Sequence, residues 1–244
     1  MISWQAPPAR PALLPHQVHV WRVSLQRPPL PADMLWGVLD KAERQRAQRY
    51  RFERDRRRFV AARGMLRVIL ARYAGIAPAA IHFDYSDHGK PSLSDFPELA
   101  FNASDSGDLM ALGVALNRLL GVDIERVRDD FGGLEIAERF FSPAEIASLR
   151  SLPPQARPRA FFRCWTRKEA FIKAIGEGLS YPLHQFEVTL KPDEPARLLW
   201  VVGEPDAARR WFLTDFPVHP DYEGAVIAEA PVADMAYFSW GIGD

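Results

Sequence analysis

The sequence predicts an α+β protein made of two halves of similar element order. With 244 residues and 48% hydrophobic composition, the chain can bury a core, either as one large domain or as two small ones packed together. Strand-like alternation and helix-like three- and four-residue spacing fall in separate blocks, as they do in α+β proteins. The order of those blocks before Asn117 resembles the order after Arg118, which places the boundary between a half at 1–117 and a half at 118–244. Residue by residue the halves are too dissimilar to establish a repeat.

In the first half, 18–25 alternates as a strand does, and Pro28, Pro29 and Pro31 close it. Phe59, Ala62, Leu66, Ile69 and Tyr73 then recur at helical steps, and the helix stops at Gly75 followed by Pro78. Strands are expected around 81–85, 99–103 and 109–115. The second half starts with a strand at 119–125 and continues with helices near 134–141, 142–149 and 159–175. Pro153, Pro154 and Pro158 mark a loop before the last of these helices, and strands follow near 186–190, 198–202, 211–214 and 225–228.

Formal charge sums to zero, so bulk attraction to nucleic acid or membrane is not expected. Between positions 41 and 58, however, nine basic residues face three acids. Such a run reads first as a solvated helical face, with a polyanionic ligand as the sharper alternative. Apolar stretches such as 110–116 fall far short of the roughly 18 residues a membrane span requires. Residues 1–30 lack the apolar centre of a secretory signal, so a cytoplasmic protein is expected. The single cysteine, Cys164, excludes a disulfide framework and a thiolate metal cluster, and the histidines show no ligand spacing. Any metal must be held by oxygen or imidazole.

Two segments carry the candidate chemistry. In Gly121-Val122-Asp123-Ile124-Glu125, strand alternation points Asp123 and Glu125 to one face and Val122 and Ile124 to the other. Two carboxylates one strand repeat apart can grip a hard cation, although alternating acids also make the wet face of an edge strand. On the helix at 159–175, Trp165, Glu169 and Lys173 fall at i, i+4 and i+8 and share one side. An ordinary surface pair between Glu169 and Lys173 is the simpler reading. Yet Phe161, Phe162, Phe171 and Ile172 surround most of that helix, and buried charges such as Lys168 and Glu169 need partners. A metal and a phosphate would supply them, and an all-oxygen set suits Mg²⁺, whose coordination substrate phosphates commonly complete.

The segments 121–125, Phe140-Phe141-Ser142-Pro143-Ala144-Glu145, 165–173 and Gly176-Glu177-Gly178-Leu179 resemble the Sfp-type 4'-phosphopantetheinyl transferases. His88-Gly89-Lys90-Pro91 and Phe101-Asn102-Ala103-Ser104-Asp105-Ser106-Gly107 are similar to the same family, in the same order. The resemblance implies a pseudo-dimer of two α+β halves with the active site in the cleft between them, working as a monomer. It implies a Mg²⁺-dependent enzyme that transfers the phosphopantetheine arm of coenzyme A to a serine of an apo acyl or peptidyl carrier protein. Asp123, Glu125 and Glu169 would hold the metal, and Lys168 and Lys173 would approach the phosphates. Gly89, Lys90 and Pro91 would line the adenine pocket, with Arg46, Arg58 and Ser104 near the 3'-phosphate. Asp105 stands where the family usually has histidine, and an anionic side chain there opposes a 3'-phosphate unless it turns away or pairs with an arginine.

The serine proton needs a base. Glu169 is the first candidate and Glu145 the second, although Ser142-Pro143-Ala144-Glu145 also spells a helix capping box. Phe131, Leu134, Phe140 and Phe141 are candidates for a carrier-docking patch, and each also fits a core position. Two rival readings remain open from the sequence: a non-catalytic member that binds coenzyme A or a carrier protein, and a nucleic-acid module using the arginine run.

Overall fold

The computed structural model describes residues 2–128 and 133–242, so Phe131 lies outside the described residues. The first half runs β1 (Gln17–Ser24), α1 (Ala32–Gly37), α2 (Lys41–Gln48), α3 (Glu53–Ala74), β2 (Phe83–Tyr85), β3 (Pro91–Leu93), β4 (Leu99–Ser106) and β5 (Leu109–Leu116). The second begins with β6 (Leu120–Arg126), α4 (Gly133–Phe140), α5 (Pro143–Ser151) and α6 (Arg157–Ile175). It continues with β7 (Phe186–Val188), β8 (Leu198–Val201), α7 (Ala207–Arg210), β9 (Trp211–Asp215), β10 (Tyr222–Glu229) and β11 (Asp234–Trp240). Among the described residues no helix is long and apolar enough to cross a membrane.

Two sheets, ordered β11-β1-β5-β4 and β6-β10-β9, pack face to face, and each carries one long helix on its outer side. Strand alternation sorts the side chains into these layers. From β1, Val18 and Val20 enter the core between the sheets while Trp21 and Val23 meet α3; from β5, Leu109, Ala111 and Ala115 do the former and Met110, Leu112 and Val114 the latter. Both faces are therefore buried, and these strands read as nearly unbroken apolar runs. On β6, Leu120, Val122 and Ile124 fill the core between the sheets, which turns Gly121, Asp123 and Glu125 toward α6. Each fully buried Val, Leu or Ile of these layers contributes about 1.5–3 kcal/mol.

The helix ends follow their sequence signals. α3 stops at Gly75, whose φ of 70° lets its N–H reach Ala71 O at 2.8 Å. Ser142 caps α5, with Pro143 in the first turn and Glu145 returning the bond to the Ser142 N–H at 2.8 Å. Gly121 has a packing reason: a Cβ there would stand 1.9 Å from the carbonyl oxygen of Ala170, so only glycine lets α6 lie this close to β6.

The last strand crosses the boundary drawn from sequence. β11 pairs in parallel with β1 over Gln17↔Asp234 to Val23↔Trp240, so the end of the second half is built into the sheet of the first. A hydrogen-bond chain fixes this join. Trp21 Nε1 donates to Tyr73 Oη at 2.8 Å, Tyr73 pairs with His19 Nδ1 at 2.8 Å, and His19 Nε2 pairs with Gln17 Oε1 at 3.0 Å. Gln17 Nε2 then donates to Asp234 on β11 at 2.9 Å. Every group in the chain is satisfied if Tyr73 donates to a neutral His19 that carries its proton on Nε2. Burial accordingly pulls the His19 pKa down to about 4, against a smaller pull upward from Asp234.

Candidate active site

At the seam between the sheets, edge strand β4 lies beside edge strand β6, and side chains rather than a backbone ladder join them. Asn102, Ser104 and Ser106 alternate with Phe101, Ala103 and Asp105, so the first set faces β6. Asn102 Oδ1 accepts the Val122 N–H at 2.8 Å. Ser104 Oγ donates to Asp123 Oδ1 at 2.7 Å, and Ser106 Oγ donates to Glu125 Oε2 at 2.7 Å. α6 closes the third side with Glu169 and Lys173, and Lys173 Nζ donates to Asp123 Oδ1 at 2.6 Å and to Ser104 Oγ at 2.9 Å.

The acids share one electrostatic environment. Asp123 is 3% and Glu169 8% exposed. Burial, then repulsion from Asp123 and Glu125, pushes the Glu169 pKa up to about 7, with Lys173 acting in the opposite direction. Burial, then Asp123, also raises Glu125, against its hydrogen bond from Ser106. For Lys173 burial opposes the charge, but Asp123, Glu169 and Glu125 together leave its pKa above the ordinary lysine value. Among the described residues no three carboxylates stand close enough to form a ready-made metal cage. Two carboxylate oxygens are nonetheless buried without a partner, Asp123 Oδ2 and Glu169 Oε1. Orphaned anionic oxygens of this kind are costly unless a cation completes them.

A pocket of about 440 Å³ lies beside β4, walled by Arg46, Arg58, Phe59, Arg63, Pro91 and Asp105 among others. Arg58 is held by Asp108 at 2.5 Å, and Arg46 lies 5.2 Å from the centroid of the Phe59 ring. Arg63 Nε bonds Glu43 at 2.7 Å. Asp105 sits between the two features. Burial raises its pKa, Lys173, Arg58 and Arg46 pull it down, and Asp123 pushes it up again. Most of the remaining basic run is solvated or locally paired: Arg54 with Asp55, and Arg56 and Arg57 with Glu53.

Several residues expected at the ligand are placed differently. Lys168 is fully buried, and its three N–H donors are used by Glu145 Oε1 at 2.9 Å, Leu183 O at 2.8 Å and Phe186 O at 2.7 Å, leaving none for a phosphate. Glu145 is likewise spent on the α5 cap, the Val188 N–H and Lys168, which makes it a structural carboxylate rather than a base. Ser104 turns toward Asp123 and away from the arginine pocket. The Lys90 amine donates to Ala174 O at 2.7 Å and Leu120 O at 3.3 Å, and Gly89, with φ of 79°, forms the turn before it. Of the candidate docking residues, Phe140 is 46% exposed, Leu134 is partly buried and Phe141 belongs to the core.

Sequence reasoning assigned no role to Asn102 and Ser106, although both lie in the family-like segment 101–107, nor to Asp108. The polar alternation through 102–106 was the available signal, since three polar side chains on one face of a buried strand need partners on a neighbour.

A family model described as 4'-phosphopantetheinyl transferase superfamily matches residues 119–228, and one described as 4'-phosphopantetheinyl transferase, N-terminal, matches residues 27–116. The chain is 42% identical over 199 residues to the 4'-phosphopantetheinyl transferase HetI of a Nostoc species, covering 80% of this chain and 84% of that one. It is 35% identical to the 4'-phosphopantetheinyl transferase psf-1 of Bacillus pumilus, covering 78% and 79%. It is 31% identical to the 4'-phosphopantetheinyl transferase Sfp of Bacillus subtilis, covering 80% and 84%. The two family matches meet at the β5–β6 junction, and the chain belongs to the 4'-phosphopantetheinyl transferase superfamily.

Proposed function

We propose that this chain transfers the 4'-phosphopantetheine group of coenzyme A to a serine of an apo acyl or peptidyl carrier protein at the seam formed by β4, β6 and α6. The observation that carries the site assignment is the pair of orphaned buried oxygens, Asp123 Oδ2 and Glu169 Oε1, beside Glu125. Asp123, Glu125 and Glu169 offer oxygen only, a donor set that fits Mg²⁺. When bound, that ion would neutralise charge on the pyrophosphate of coenzyme A.

The chain's own residues supply the rest. Lys173 has two of its three donors on Asp123 and Ser104, which leaves one N–H for a phosphate oxygen. Arg46 and Arg58 give the pocket beside β4 the positive charge that a 3'-phosphate requires. The carrier serine oxygen attacks the β-phosphorus, and the bond from that phosphorus to the bridging oxygen breaks. 3',5'-ADP leaves with the electron pair. Glu169 takes the serine proton, directly or through a water. One chain contributes both sides of the seam, β4 from the first half and β6 with α6 from the second, which favours a monomer.

Mass spectrometry of apo carrier proteins incubated with the protein, coenzyme A and Mg²⁺ tests this reading. A carrier that gains one phosphopantetheine mass supports it. Carriers left unmodified across acyl and peptidyl types reject it.

A further inference from the structure

Two glycine-containing loops meet near the start of β6 and the end of α6. The turn at 86–90 is closed by Ser86 N to Lys90 O at 3.0 Å, Gly89 N to Ser86 O at 2.8 Å and Lys90 N to Ser86 Oγ at 3.1 Å. The loop at 176–178 follows the end of α6, where Gly176 and Gly178 both take positive φ, 79° and 64°. They touch at two places. Lys90 Nζ donates to Ala174 O in the last turn of α6 and to Leu120 O at the start of β6. His88 Nε2 stands 3.9 Å from Glu177 Oε2. The two segments are neighbours: a Cβ on Gly176 would be in ordinary contact with Lys90 Cδ at 3.4 Å and one on Gly178 with His88 Cβ at 3.9 Å.

The physical reason is plain at the helix end. The last carbonyls of a helix have no intrahelical donor and carry the negative end of its dipole. The Gly176 N–H returns to Ile172 O at 3.0 Å, and the Lys90 ammonium takes Ala174 O. Its neighbour in sequence, Pro91, lines the arginine pocket, while the neighbour of Ala174 is Lys173. One side chain therefore spans from the wall of the arginine pocket to the helix that carries Lys173 and Glu169. Burial pulls the Lys90 pKa down to about 8, as for an amine held away from water.

We propose that Lys90 is a positioning residue, a latch that ties the turn at 86–90 to the end of α6 and thereby fixes the spacing between the coenzyme A pocket and the Lys173–Glu169 pair. This role rests on the transferase reading and adds to it. The segments 88–91 and 176–179 are then the two sides of one joint rather than two separate ligand contacts.

Lys90→Met and Lys90→Arg test it, with transfer kcat and KM, the Kd of coenzyme A by calorimetry, and amide exchange over 172–178. For Lys90→Met the latch predicts at least about a tenfold fall in kcat, a coenzyme A Kd within about threefold of the parent, and faster exchange over 172–178. Lys90→Arg, which keeps a cation long enough to reach Ala174 O, recovers most of kcat. A tenfold weaker Kd with kcat unchanged overturns the proposal, because Lys90 then acts on the ligand. Unchanged exchange also overturns it. Absence of transfer by the parent protein rejects the enzymatic reading instead, and the exchange measurement still decides the latch. Should Lys90→Met not fold, Lys90→Gln provides the same comparison.

Discussion

Replacing Gly121 with alanine adds one methyl group and should disable the site without touching any of its side chains. The added Cβ would stand 1.9 Å from Ala170 O and 2.6 Å from Ala174 N, both backbone atoms of α6. An ordinary carbon-to-oxygen contact is about 3.3 Å, so the helix must retreat by roughly 1.4 Å. Glu169 and Lys173 ride on that helix, and Asp123 is two residues along β6. A misplacement of about 1 Å at reacting groups costs on the order of a hundredfold in rate. Overpacking of this kind costs about 1–3 kcal/mol, which for a chain of this size lowers Tm by roughly 2–4 °C per kcal/mol. Steady-state transfer assays at a temperature where both proteins give native circular dichroism should show the rate loss. Adding Ala170→Gly should not restore activity, because the clash is with the carbonyl oxygen and not with the alanine methyl. A Gly121→Ala protein with parental activity and Tm, or rescue by Ala170→Gly, would refute the close-approach reasoning.

Further outcomes follow from the same structure. His19 has a folded pKa of about 4, below the imidazole value of 6.5, so its stabilisation is complete above pH 6.5 and is lost as pH falls toward 4, at most about 1.4 kcal/mol per pH unit. Urea unfolding at pH 7 and pH 5 should show that loss in the parent and a smaller one in His19→Gln. Lys168→Met leaves the buried Glu145 without its cation and should cost about 3–5 kcal/mol, with KM for coenzyme A unchanged in the folded fraction; a stable variant with raised KM would return Lys168 to the phosphates. Asp105→Asn removes an anion flanked by Arg46, Arg58 and Lys173 and should tighten coenzyme A about threefold to tenfold, with little effect on 3'-dephospho-coenzyme A. Equal gains for both ligands would show that Asp105 does not act on the 3'-phosphate.

The elements that position the site were legible because their periodicities are clean. Asp123 and Glu125 alternate with Val122 and Ile124, whose burial between the sheets leaves the acids no direction but toward α6. Glu169 and Lys173, one helical turn apart, reach the seam together. β11 was not legible, since its pairing with β1 joins residues more than 200 positions apart, and nothing local in Asp234–Trp240 names that partner. β3 is only three residues long and is defined by its pairing with β2. Lys168 and Glu145 show the limit at the site itself. Both sit within motifs, and sequence does not distinguish a charge kept for a ligand from one neutralised inside the core; here they neutralise each other at 2.9 Å. Lys90 likewise looks like a pocket residue until its amine is followed to Ala174 O.

The proposal that Asp123, Glu125 and Glu169 hold one divalent ion is tested most directly by calorimetric Mg²⁺ or Mn²⁺ titration of the parent, Asp123→Asn and Glu169→Gln proteins, with circular dichroism as the check on folding. The account predicts one ion per chain in the parent and at least about tenfold weaker binding in each variant while the fold is kept. Parental affinity in both variants would contradict it.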